Sequence, residues 1–441
     1  MHWDVTGDLL GECGPIRLGG FKHLLAPVLA AAAMSDRPWS VTNVPDIRDS
    51  HMLAAMLRDA GAEVVLDTTT RSMTVDARSL TRHRIDSRWS TQVHGGTYLL
   101  PALLAATGRA ESGAHGGCQI GGGSGKRPIA HLAEVMSRFG AVCEVDGDAV
   151  TATAPASGLR GTEIDLADFA EVEPVSGTLT GPHYSGASKT ALLLAAAARG
   201  TTVLRNPYPK PDTVELARIL GAHVERDLIV VEGAGGPIGA AAAHLPSDLM
   251  ELVTFVAIAV AARRAVRLRL DRPELVREGL APELGHLAEM GVPLRWDGDL
   301  LDVEGAHEIR PARIVAASHL AYSDAQPLFA LMLSRATGPS VLTDAVWHNR
   351  FGYADGLGKL GADLTVRGHA LEVRPSTLRP SGEDLRAGDL RAVATVVLGA
   401  LVTGGRHRVH GVEHIGRGYE GLPEKLTRLG AHIETSERIA A

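Results

Sequence analysis

The sequence predicts an α/β protein assembled from six strand–helix–strand–helix–hairpin repeats, three to a domain. Three observations lead there. An amphipathic helix ending in an apolar residue and glycine recurs six times, at Ala60-Gly61-Ala62, Phe139-Gly140-Ala141, Leu220-Gly221-Ala222, Met290-Gly291-Val292, Leu360-Gly361-Ala362 and Leu429-Gly430-Ala431, spaced about 70 to 80 residues apart. Each repeat carries a second helix so apolar that it must be buried nearly all round. Alternating strands around Asp-Gly or Arg-Gly turns come next, as in 141–150 and 364–373.

The glycine after each amphipathic helix is the expected C-terminal cap. The apolar helices are predicted to begin near Lys22-His23, His94-Gly95-Gly96, Ser185-Gly186, Ser247-Asp248, Ser323-Asp324 and Asp389-Leu390-Arg391, where serine and aspartate are N-cap residues. Within a domain the three apolar helices should pack on one another, with sheets outside them. If their N-termini share a direction, their positive dipole ends gather as a polyanion site needs. Residues 3–9 read as a first strand, and the Gly/Ala-rich stretch 235–246 as a crossing or linker.

Composition narrows the function. The 441 residues are 45% hydrophobic and carry a formal charge of −7, which leaves no basic footprint for nucleic acid or anionic membrane. Aromatics at 4% argue against a base-stacking surface. No apolar run reaches bilayer length; the longest, near 252–262, is of core-helix length. The start, Met-His-Trp-Asp, lacks the regions of a signal peptide, so a cytoplasmic protein is expected. Cys13, Cys118 and Cys143 are too scattered for a disulfide framework, and the histidines lack zinc-ligand spacing, so neither metal nor cofactor is expected.

One stretch is chemically conspicuous. Cys118 sits among glycines from Gly116 to Gly125, closed by Lys126-Arg127-Pro128. Glycine lets a backbone come close to a ligand, and fixed positive charge favours a thiolate. Pro128 would then lie in the first turn of a helix whose N–H groups can hold an anion. The run imitates a phosphate-binding P-loop but fails it: Ile120 stands where the first glycine belongs, and Arg127 where Ser or Thr should be. Lys22 opens the first apolar helix and is one of only six lysines. Arg127 and Arg391 occupy comparable helix starts, while Arg350 and Arg417 lie in turns. Taken singly, each arginine is more readily a solvated surface residue; together at equivalent positions they suit phosphate or carboxylate. Asp324 reads either as a helix cap or as a base taking a proton from a hydroxyl. For Asp248 and Asp389, capping is the expected role.

In this order, Lys22, Asn43-Val44-Pro45, the Gly-Gly-Cys-x-Ile-Gly loop at Cys118, Arg127-Pro128, Ser185-Gly-Ala-Ser188, Ser323-Asp324, Asn349-Arg350-Phe351, Asp389-Leu390-Arg391 and Arg417-Gly418-Tyr419-Glu420 resemble the enolpyruvyl transferase family, most of all its UDP-N-acetylglucosamine branch. The resemblance implies a two-domain inside-out α/β barrel, with residues 22–245 as the domain bearing the Cys118 lid. Residues 1–21 plus 246–441 would form a discontinuous domain bearing Asp324. It implies transfer of the enolpyruvyl group of phosphoenolpyruvate to a sugar hydroxyl. Lys22, His23, Arg127, Arg391 and Arg417 would hold the donor. Cys118 would be the general acid and Asp324 the base, with Lys22 the third catalytic residue. The uridine acceptor would meet Arg127, Pro128, Ile129, Ala130, His131, His183, Tyr184, Ser185 and Val346, with His94, Asp324 and Arg350 completing that set.

This chain departs from the family pattern at His23 (asparagine expected), His94 (arginine expected), Leu249 (arginine expected) and in a longer Cys118 lid. Fewer fixed cations favour an acceptor with fewer phosphates. The departures therefore resemble the UMP enolpyruvyl transferases of nikkomycin- and polyoxin-type antibiotic pathways. The alternatives are the UDP-N-acetylglucosamine reaction itself and a non-catalytic uridine-nucleotide sensor; alkylation of Cys118 by fosfomycin would separate enzyme from sensor. A shikimate-pathway role leaves Cys118 without a task.

Overall fold

The structure, a computed structural model, describes residues 1–7, 9, 14–113, 115–116, 120, 129–305 and 308–436. It divides into two compact units: Phe21–Gly117 with Ser124–Leu245, and Met1–Gly20 with Pro246–Ala441. Each is an inside-out α/β barrel of three repeats, with helices at the centre and sheets around them.

In the first unit the central helices are Lys22–Ala32, Leu99–Thr107 and Tyr184–Ala197, and each packs on the other two. In the second they are Leu249–Ala262, Gln326–Leu333 and Leu390–Val402, again in mutual contact. Their composition explains the position: every residue from Leu249 to Ala261 is buried, and a surface apolar but for Glu251 and Thr254, which find partners in Lys425 and Tyr419, has nowhere else to go. Frequent alanines among the leucines and valines let the three backbones come close.

Around each core stand three four-stranded sheets with one common plan. A short strand pairs in parallel with the strand that comes after the central helix, and that strand pairs antiparallel with a hairpin. In the second repeat, Arg84–Ile85 runs parallel to Arg109–Ser112, which adjoins the hairpin Val142–Asp146 and Ala149–Thr153. All six landmark glycines end their amphipathic helices at positive φ, from 74° at Gly221 to 104° at Gly61, where a Cβ is penalised.

Three sheets are completed by distant chain, one of them by strand Ile16–Arg17, which pairs in parallel with Val266–Arg269. Residues 235–246, read from sequence as a linker, contain the strand Ala242–His244, which pairs in parallel with Trp39–Thr42. The last repeat lacks a hairpin of its own. Strand His2–Thr6 lies between Arg406–His410 and His432–Thr435, antiparallel to both.

Local chemistry moves several helix starts. Gly95 and Gly96 hold His94–Tyr98 as a 3₁₀ turn, and the α-helix begins only at Leu99, because glycine disfavours helix. The helix expected from Pro128 begins at Ala130; Pro128 itself lies outside the described residues. Ser323 and Asp324 form a turn ahead of a helix that starts at Gln326. Among the described residues, no helix is long and apolar enough to cross a membrane.

Candidate active site

In the first unit, Lys22 is the first residue of its central helix, and its Nζ donates to Asp49 Oδ2 at 3.0 Å. Asp49 sits in the first turn of helix Arg48–Asp59, a partner the sequence did not announce. His23 is next in the chain, half-buried, with its ring tilted against Phe21 at 5.4 Å. His94 opens the 3₁₀ turn and is also half-buried.

The expected acceptor residues cluster at two helix starts. Ile129 is buried and Ala130 exposed where helix Ala130–Arg138 begins. His131, its second residue, stacks on His183 with ring centroids 4.6 Å apart and planes 17° from parallel. His183 immediately precedes helix Tyr184–Ala197. A Cβ on Gly186 would lie 2.7 Å from His131 Nε2, so a side chain there would push the imidazole out of the stack. Burial, with a further contribution from His183, brings His131 down to about 3; burial lowers His183 too. The stack is therefore neutral at pH 7.

A neutral buried imidazole binds fewer protons than the unfolded chain, so stability is lost as pH falls from the free value of 6.5 towards 3. The melting temperature is expected to drop through that window. His131→Gln should shallow the slope by up to about 1.4 kcal/mol per pH unit. Thermal melts of both proteins from pH 7.5 to 4.5 check this, and superimposable slopes would refute it.

Tyr184 departs from the expected acceptor role. It is fully buried, and its hydroxyl donates to the carbonyls of Asn206 (2.7 Å) and Pro207 (3.0 Å), so its polar end serves the core. Ser185 does not cap the helix; its Oγ accepts from Lys189 Nζ at 2.8 Å. Lys189 is buried against Asp212, with the rings of Tyr98 and Tyr208 at 5.5 and 5.6 Å. Burial works against its charge, yet Asp212 holds the ammonium above its usual range.

In the second unit, Asp324 is not the cap residue of the helix it precedes. Ala325 occupies the cap position. Asp324 instead accepts from two arginines: Arg350 Nη2 at 2.6 Å on Oδ1 and Arg391 Nε at 3.0 Å on Oδ2. Neither arginine is a surface residue; their side chains are 3% and 1% exposed, against 20% for Asp324. Positive φ at Asn349 (56°) turns the chain into Arg350. Burial opposes the Arg350 charge, but Asp324, Asp389 and Asp344 hold it above its ordinary value.

Arg391 lies in the first turn of helix Leu390–Val402, whose cap Asp389 accepts from the amides of Arg391 (3.0 Å) and Ala392 (3.1 Å). Its guanidinium rests over the Tyr419 ring at 4.9 Å, and Tyr419 is anchored by a 2.8 Å hydrogen bond to Thr254 Oγ1. Among the described residues, Arg391 Nη1 and Nη2 are buried without a hydrogen-bond partner of good geometry. Such donors are costly to leave unmet, and they are what an oxyanion takes up. Arg417 ends the 3₁₀ turn Val412–Arg417 and is buried as well. Asp248 does cap its helix, accepting from Met250 and Glu251 amides, both at 2.9 Å. Val346 donates its amide to Asp344 Oδ1 at 3.0 Å. Cys118 and Arg127 lie outside the described residues.

The profile of the EPSP synthase (3-phosphoshikimate 1-carboxyvinyltransferase) family matches residues 13–426. UDP-N-acetylglucosamine 1-carboxyvinyltransferases from Halothermothrix orenii and Xylella fastidiosa are 30% and 31% identical to this chain. The alignments cover 95% and 96% of this chain and 96% of each relative. The crystal structure of the enolpyruvyl transferase NikO from Streptomyces tendae matches with a TM-score of 0.89 at 35% identity, covering 98% of both chains. EPSP synthase from Acinetobacter baumannii, at 19% identity and a TM-score of 0.71 over 98% of this chain and 100% of that one, is alike in fold.

Proposed function

Because the chain belongs to the EPSP synthase family and is an enolpyruvyl transferase, we propose that it moves the enolpyruvyl group of phosphoenolpyruvate to the ribose 3′-hydroxyl of UMP. One observation carries the choice of acceptor. The resemblance drawn from the sequence expects arginines where His94 and Leu249 stand, so it implies fewer fixed cations than a nucleotide diphosphate sugar calls for; Leu249 is fully buried. The neutral His131–His183 stack, in the same unit as His94, adds no fixed charge of its own. The chain is also more similar to NikO, at 35%, than to the two UDP-N-acetylglucosamine enzymes, at 30% and 31%.

In this reading Lys22, His23, Arg127, Arg391 and Arg417 bind the donor. The unpartnered Nη1 and Nη2 of Arg391 are its ready contacts. Both oxygens of Asp324 accept from arginines, which aim the carboxylate, and each oxygen keeps a further lone pair for the incoming proton. Asp324 then takes the acceptor hydroxyl proton as that oxygen bonds to C2 of the donor, while Cys118 gives a proton to the C3 methylene. In the second half C3 gives a proton back to the Cys118 thiolate and the C2–O bond to phosphate breaks, restoring the double bond, while the proton held by Asp324 leaves with the departing phosphate. No electrons are gained or lost overall. His94, His131, His183, Ser185, Val346 and Arg350 seat the acceptor, with Arg127, Pro128, Ile129 and Ala130.

Phosphate release tests the reading. With phosphoenolpyruvate present, kcat/KM for UMP is expected to exceed that for UDP-N-acetylglucosamine by at least about a hundredfold, the discrimination that placed polar contacts support. Turnover with the sugar nucleotide and none with UMP would instead establish the second reading, UDP-N-acetylglucosamine 1-carboxyvinyl transfer, which the two curated relatives favour.

A further inference from the structure

We propose that Asp344 is a positioning residue that holds the base Asp324 and the Val346 turn in one register. The inference rests on the proposed roles of Asp324 as base and Val346 as an acceptor contact. Asp344 ends strand Ser340–Asp344 and is fully buried. Its Oδ1 accepts from the amides of Val346 and Trp347, both at 3.0 Å. Its Oδ2 accepts from Ser323 Oγ at 2.5 Å. Ser323 Oγ in turn accepts from Arg350 Nη1 at 2.8 Å, and Arg350 Nη2 donates to Asp324 Oδ1 at 2.6 Å. An unbroken line of hydrogen bonds joins the turn's amides to the base.

The direction of that line is set by proton count. A serine hydroxyl has one proton, and here Asp344 takes it. The oxygen can then offer only lone pairs to Arg350, so the guanidinium fork divides between Ser323 and Asp324. A turn alone does not require a carboxylate, since asparagine closes the same side-chain–backbone turn. The second oxygen has a use only as the acceptor for Ser323. Asparagine at 344 would keep an oxygen on the two amides while presenting an NH₂ group to Ser323. The hydroxyl would rotate, and Arg350 would lose the contact that aims it.

The test measures phosphate release by the full-length wild type, Asp344→Asn, Ser323→Ala and the double variant. The substrates are phosphoenolpyruvate and UMP, or UDP-N-acetylglucosamine if UMP is not turned over; melting temperatures are recorded alongside. Each single variant is expected to lose about ten- to hundredfold in kcat, the cost of misplacing a reacting group by a fraction of an ångström. The acceptor KM should hold within about threefold for Asp344→Asn, and the double variant should be no worse than either single one, as for residues acting through one path. Wild-type kcat in Asp344→Asn, or losses that multiply in the double variant, overturns the inference. If Asp344→Asn does not fold, Ser323→Ala decides alone, since it leaves the turn intact. Asp324→Asn separates the two levels: full activity in that variant, or no turnover by the wild type with either acceptor, overturns the underlying reading and this inference with it.

Discussion

Asp324→Asn is expected to lower kcat by about 10²–10⁴-fold, the usual contribution of a positioned general base. The carboxamide cannot take the hydroxyl proton. It also leaves Arg350 and Arg391 facing a neutral group, although their side chains are only 3% and 1% exposed. Breaking a buried pair by removing one partner costs on the order of 3–5 kcal/mol, so the melting temperature should fall as well. Steady-state kinetics beside thermal melts separate the two effects. Turnover within about threefold of wild type would remove Asp324 from the chemistry, whatever its effect on stability.

The second large effect is expected at Arg391. Arg391→Lys keeps the charge, so folding should survive with a modest loss of stability. Lysine lacks the planar fork: it cannot bond Asp324 through Nε, lie flat on Tyr419 and still offer two parallel donors. Donor kcat/KM is expected to fall about a hundredfold, the scale of losing a desolvated charge-assisted contact. The loss should lie chiefly in KM for phosphoenolpyruvate, with KM for the acceptor little changed. An unaltered donor KM would argue that Arg391 serves only to hold Asp324.

Much of the fold could be read because its signals are local. A glycine that ends a helix at positive φ is a one-residue requirement, and all six landmark glycines meet it. A helix like Leu249–Ala262 declares its burial in its own composition. The site is another matter. Arg350 and Arg391 reach Asp324 from 26 and 67 residues away, and no period or spacing links them. The Ser323-Asp324 pair looked like cap chemistry because capping is the commoner use of those residues. Two buried arginines outcompete it. Asp344 reads as an ordinary strand end, and Asp49 as an ordinary first-turn acid of an amphipathic helix; only the packed chain shows Ser323 and Lys22 against them. The strand in 235–246 was missed because Gly and Ala carry little strand propensity, and a neighbour as distant as Trp39–Thr42 imposed it.

The placement of strand His2–Thr6 has a consequence for biosynthesis. The unit spanning 21–245 is contiguous apart from the loop around Cys118, so it can mature while the ribosome is still translating the second half of the chain. The other unit cannot. Its opening strand must wait for Arg406–His410 and His432–Thr435 to emerge, after some four hundred residues, or about 20 to 80 seconds of elongation. Until then its two edges are open to wrong partners. Slow decoding of the codons for 406–435, or a chaperone that shields strand His2–Thr6, should therefore affect the yield of this half far more than the other.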